Sequence, residues 1–117
     1  MKISEIKRIL DAEVCTAFPH EDREVFSACG ADMMSDVLAA YTEDKGVLLT
    51  GLNNSQVVRT AEMIDIFCIV YVRGKTPDVS VIALAEEKEI IVMATKHSMY
   101  TACGLLYAAG LPGGDSQ

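Results

Sequence analysis

The sequence predicts a single compact α/β domain in which a mixed, largely parallel sheet is flanked by helices. Short apolar runs at 47–49, 67–72 and 90–94 alternate with two segments of helical period, the pattern of parallel strands joined by crossover helices. Half of the 117 residues are apolar and few are aromatic, so an aliphatic core can be buried.

The elements follow in order. Ile3, Ile6 and Leu10 share one face of a first helix, with Ser4 near its start. Residues 13–17 alternate as a strand, Pro19 marks a turn over 18–22, and 24–31 read as a second, less regular strand with Gly30 permitting a bulge. A helix over 33–41 takes Asp32 as N-cap, Asp36 in its first turn, and Val37, Leu38 and Tyr41 as its stripe. A polar connection at 42–46 leads to the strand 47–50. The turn 51–55 then offers Asn53, Asn54 or Ser55 as cap for a helix burying Val57, Ala61 and Ile64 and exposing Arg59. Asp65 ends that helix, and 67–72 is the strongest strand. After the turn 73–76, Thr76-Pro77 reads as an N-cap followed by a first-turn proline, opening a helix that turns Val81, Ile82 and Ala85 inward. The next strand is 90–95. A last helix over 98–109 places Met99, Ala102, Cys103 and Leu106 on one face. Gly110, Pro112 and Gly113-Gly114 stop it, and 111–117 is expected to be a flexible tail.

Ten basic against seventeen acidic residues give a net charge of −7, which argues against nucleic-acid binding. No run is apolar enough to span a membrane, and the amphipathic N-terminus lacks a signal-peptide core, so a cytoplasmic protein is expected. Cys15, Cys29, Cys68 and Cys103 show no zinc spacing. They read as free thiols, with a redox or cluster role open only where folding joins Cys15 to Cys29.

The stretch 68–106 runs CIVYVRGKTPDVSVIALAEEKEIIVMATKHSMYTACGLL. It resembles the DRTGG domain family and is similar to the N-terminal, non-catalytic domain of HPr kinase/phosphorylase. The latter carries a comparable strand ending in Arg-Gly, matched here by Arg73-Gly74, then a proline (Pro77), a helix, and a strand ending in Thr (Thr95). The likeness spans 33–111 and, more loosely, the N-terminal third. Asn53-Asn54 stand where the family carries Asp-Arg, and Val72-Arg73-Gly74 where it carries Thr-Gly-Gly, so Gly74 alone matches there. The resemblance implies a regulatory or accessory domain, in the family often fused to phosphotransacetylase or to nucleotide-sensing pyrophosphatase modules.

Kinase chemistry is excluded at Arg73-Gly74-Lys75-Thr76, because Ile69 occupies the upstream glycine position of a phosphate loop and lies inside a strand. His97 and Ser98 are neighbours in sequence, which does not make a nucleophile and base, and His20 lies in a polar loop. Glu43-Asp44 and Glu86-Glu87 belong to turns and solvated helix ends. The better site is the carboxyl edge of the parallel strands, where ligands of open α/β sheets lie, often near a topological switch. Three loops meet there and supply the candidate ligand-binding residues Thr50, Gly51, Asn53, Asn54, Arg73, Gly74, Lys75, Thr95, Lys96 and Ser98. Backbone N–H groups and helix dipoles favour an anion at such an edge, although every βα unit needs caps and turns of this kind. The expectation is a stand-alone module without catalysis, cofactor or metal, binding a partner protein or a small anionic ligand. The alternative is a nucleotide or phosphometabolite sensor using the same loops. A homodimer is expected, with Met1, Ile3, Ile6 and Met33-Met34 as contributors, unless these residues complete the core.

Overall fold

In a computed structural model, the structure describes residues 1–17, 22–41 and 45–114. Five strands form one sheet in the order β1-β5-β4-β3-β2. The strands are β1 (Glu13–Val14), β2 (Ser27–Gly30), β3 (Gly46–Thr50), β4 (Cys68–Tyr71) and β5 (Ile91–Ala94). β2 to β5 are parallel and follow one another in chain order, while β1 pairs antiparallel with β5. The helices are α1 (Ile3–Leu10), α2 (Met34–Ala40), α3 (Ser55–Met63), α4 (Val79–Glu87) and α5 (Met99–Ala108).

The strand alternation decides the two layers. Val47, Leu49, Cys68, Val70, Ile91 and Met93 point to the face covered by α1 and α5. Leu48, Ile69, Tyr71 and Val92 point to the face covered by α2, α3 and α4. Three crossovers of one hand, each stepping to the next strand, must lay their helices on the same face. Because the parallel strands never reverse direction of growth, no switch point lies between them.

Several element boundaries move. Residues 24–26 do not join β2; Val25 N–H donates to Met1 O at 2.8 Å and Ile3 N–H to Arg23 O at 3.0 Å, so this segment docks on the N-terminus. α1 is not capped by Ser4: Glu5 accepts from Lys2 N–H at 3.2 Å, and Asp22 accepts from Ser4 N–H at 3.2 Å. α2 is capped at Met33 rather than Asp32, and its buried stripe is Met34, Val37 and Tyr41, leaving Leu38 exposed. α3 buries Val58 and Thr60 beside Val57 and Ala61, with Ile64 half-buried. α4 begins after Asp78, not Thr76. The loop at 18–21, with His20, and the acids Glu43 and Asp44 lie outside the described residues, as do 115–117 of the expected tail. Residues 111–114 pack on the sheet edge: Leu111 is buried, and Ala28 N–H donates to Pro112 O at 2.9 Å.

Candidate functional site

The carboxyl edge of the sheet is one stitched surface. Arg73 N–H donates to His97 O at 2.8 Å and Gly74 N–H to Thr95 O at 2.9 Å, tying the β4 loop to the β5 loop. Val72 N–H donates to Thr50 O at 3.0 Å, which ties in β3. The chain turns at Arg73 and Gly74 with φ of 61° and 70°. The left-handed region costs a non-glycine residue about 1–3 kcal/mol, and the three flanking bonds hold Arg73 there.

An acid that the sequence reading assigned to helix capping closes this edge. Asp32 Oδ1 accepts from Gly51 N–H at 2.6 Å and from the Thr50 hydroxyl at 3.4 Å. Its Oδ2 lies 3.6 Å from Arg73 Nη2. The guanidinium rests on the backbone of Gly51, and a Cβ there would displace it. Asp32 thus occupies an anion's place beside Arg73. The pair is about half exposed on both sides, and such surface pairs contribute roughly 0–1 kcal/mol.

The edge therefore offers side chains rather than backbone. Leu52 N–H donates to Thr50 Oγ1 at 3.1 Å, His97 N–H to Thr95 Oγ1 at 3.3 Å and Lys75 N–H to Val72 O at 3.1 Å. Asn54 caps α3 through Gln56 N–H at 3.0 Å, and Ser98 caps α5 through Thr101 N–H at 3.3 Å. Thr50 and Thr95 are buried, and the Thr95 hydroxyl donates to Leu10 O at 2.7 Å. Asn53, Asn54, Arg73, Gly74, Lys75, Lys96 and Ser98 are exposed and Gly51 half-buried, so the ten residues share one edge in two layers. Beside it, a cleft of about 430 Å³ is lined by Asp11 and Glu13 together with Gly74, Thr76, Lys96 and His97.

A larger groove, about 650 Å³, lies at the opposite, amino end of the strands. Its lining mixes Glu24, Glu62, Asp65 and Glu89 with Arg23, Lys45 and Lys88. Lys88 is 3.2 Å from Glu62, and Arg23 stacks 3.9 Å above the Phe67 ring. Glu86, read as solvated, accepts from Ala17 N–H at 2.6 Å and is half-buried.

The cysteines are free. Cys15 N–H donates to Val92 O on β5 next to the β1 edge, whereas Cys29 lies in β2 at the other edge. Four strand spacings of ~4.8 Å separate those edges by roughly 19 Å, which removes the redox or cluster pair. Burial pushes the Cys15 and Cys103 thiols up, with Glu13 adding to the effect at Cys15, and raises Cys68 to about 12. Protonated thiols of this kind are poor nucleophiles. Among the described residues no group of three His, Cys, Asp or Glu side chains is placed to hold a metal. Among them, too, no helix is long and apolar enough to cross a membrane.

The fold is an α/β domain with a largely parallel sheet between two helical layers. The DRTGG domain family profile matches residues 5–109, and the chain belongs to the DRTGG domain family. The match takes in most of the N-terminal third, where the sequence likeness was loosest. Among solved structures, the chain is similar to the CBS and DRTGG domains of the regulatory region of Clostridium perfringens pyrophosphatase, crystallised with its activator diadenosine tetraphosphate. The TM-score is 0.74 at 23% identity, over 98% of this chain and 50% of that one. At this identity the likeness shows the fold, and the chain spans half the length of that neighbour. No curated protein matches the chain.

Proposed function

We propose that this chain is a regulatory or accessory module, without catalysis of its own, that acts as a homodimer. On this reading its carboxyl-edge loops bind a small anionic ligand or an acidic group of a partner protein. The observation that carries it is the clustering of Arg73, Lys75 and Lys96 on one stitched edge of a chain with a net charge of −7. Arg73 is held by an exposed pair of small energy, so an anion of two or more charges can compete with Asp32 for the guanidinium. The amino-end groove fits an anion less well, since its acids outnumber its bases.

A second reading, a nucleotide or phosphometabolite sensor using the same loops, is favoured by the similar regulatory region that binds diadenosine tetraphosphate. Thermal unfolding with inorganic phosphate, pyrophosphate, mononucleotides and diadenosine tetraphosphate separates the two. A rise in Tm with simple polyanions supports the general anion site, and a rise confined to nucleotides supports the sensor. No rise with any of them rejects a small-anion site at this edge, and co-purification then tests separately for a partner protein.

A further inference from the structure

We propose that the outer face of α5 is the surface through which two copies of this chain associate about a two-fold axis. This rests on the homodimer reading above and gives it a location. Tyr100, Gly104 and Tyr107 recur at helical spacing and form one stripe. Tyr100 is 90% exposed and Tyr107 68%, an unusual state for large side chains on a helix that carries no charge. Between them Gly104 meets nothing within 4 Å of an added Cβ, so a second helix can approach the backbone closely at that point. An apolar groove of about 360 Å³ adjoins the stripe and is lined by Cys103, Leu106, Leu111 and Pro112 along with the tyrosines. Knob and hole on the same patch are what an isologous contact requires.

Charge selects the occupant. Each copy carries −7, so like molecules repel wherever acids face each other. From Ser98 to Gly114 there is no Asp, Glu, Lys or Arg, and a face without charges is where two such copies meet at least cost. The other large exposed apolar groups have charges close by in sequence or space: Met33 follows Asp32, Leu38 lies two residues after Asp36, Met63 follows Glu62, Val79 follows Asp78, and Phe26 shares a groove with Arg23 and Lys45. Strand addition is a poorer route. β2 is already engaged by Pro112 and Gly114, and β1 is two residues long. Of the residues expected to contribute to association, Ile3, Ile6 and Met34 are buried in the core, Met1 is half-buried, and Met33 is exposed beside Asp32.

Sedimentation velocity over a concentration series tests this with Tyr100→Glu, Tyr107→Lys and the control Met63→Glu. All three side chains stand in solvent, and an acid in the first turn of α5 or a base in the last suits the helix dipole, so the fold is kept. The wild type and control are expected to be dimers, with the dissociation constant of both α5 variants raised about tenfold or more. A wild-type dimer unaffected by either α5 variant overturns the location while the homodimer reading stands. A wild type that stays monomeric overturns both.

Discussion

Tyr41 is wedged between two glycines. Its hydroxyl shares a buried 2.7 Å hydrogen bond with Ser27, and a Cβ at either Gly46 or Gly114 would enter its ring. Gly46→Ala is therefore expected to destabilise the fold by about 1–3 kcal/mol in urea unfolding, because ring and strand are both packed. Tyr71 presents the opposite case. Its side chain is fully buried, its hydroxyl has no hydrogen-bond partner among the described residues, and burial pushes its pKa up to about 12, with the Cys15 thiol adding to the rise. Tyr71→Phe removes the unpaired hydroxyl and is expected to raise stability by about 1 kcal/mol. A folded-state pKa above the unfolded value means stability that is complete below the unfolded pKa and lost as pH rises through the folded one. Stability should thus fall between pH 9 and 12, with Cys68 contributing across that window and Tyr71 from pH 10 upward. Urea midpoints measured at each pH should show a shallower fall above pH 10 in Tyr71→Phe. At this scale Asp32 was the least legible residue. A short acid ahead of a helix reads as its cap, and its partners Gly51 and Arg73 are remote in sequence.

Helix ends show where local chemistry was readable. Asn54 and Ser98 were both expected near their helix starts, and each accepts from a first-turn N–H. Asn54→Ala is expected to cost about 1 kcal/mol, read as a lower urea midpoint, since it strands an amide donor at the start of α3. Thr76-Pro77 carries an equally good local signal, yet α4 begins two residues later at Asp78. The helical period also named the right faces more reliably than the right members. Val37 and Tyr41 are buried as expected, but Met34 completes their stripe while Leu38 points outward. Period alone cannot say how wide a stripe the neighbouring helix will cover; the α2–α3 packing decides that. In the same way 24–26 reads as strand by composition, and its hydrogen bonds divide between the N-terminus, where Val25 N–H donates to Met1 O, and the residue just ahead of β3, where Phe26 N–H donates to Lys45 O.

For the whole molecule, alternating apolar runs and amphipathic segments were enough for a parallel sheet with helices on both faces, because burial on both faces demands such runs. Strand order was not legible, since nothing local sends β1 to one edge and β2 to the other. That order brings the three strand-end loops together without a switch-point crevice, so the candidate site is an open edge. It also carries Cys15 and Cys29 apart. On the proposed reading this edge, rather than the larger groove at the other end, takes an anion. The most direct measurement is thermal unfolding of wild type, Arg73→Ala and Arg59→Ala with the anion panel, diadenosine tetraphosphate included. At about 100 times the dissociation constant a bound anion should stabilise the wild type by ~2.7 kcal/mol. This shift is expected to be lost in Arg73→Ala and kept in Arg59→Ala, whose side chain lies in solvent on α3. A panel that leaves Tm flat, or a shift that survives Arg73→Ala and disappears in Arg59→Ala, would contradict it.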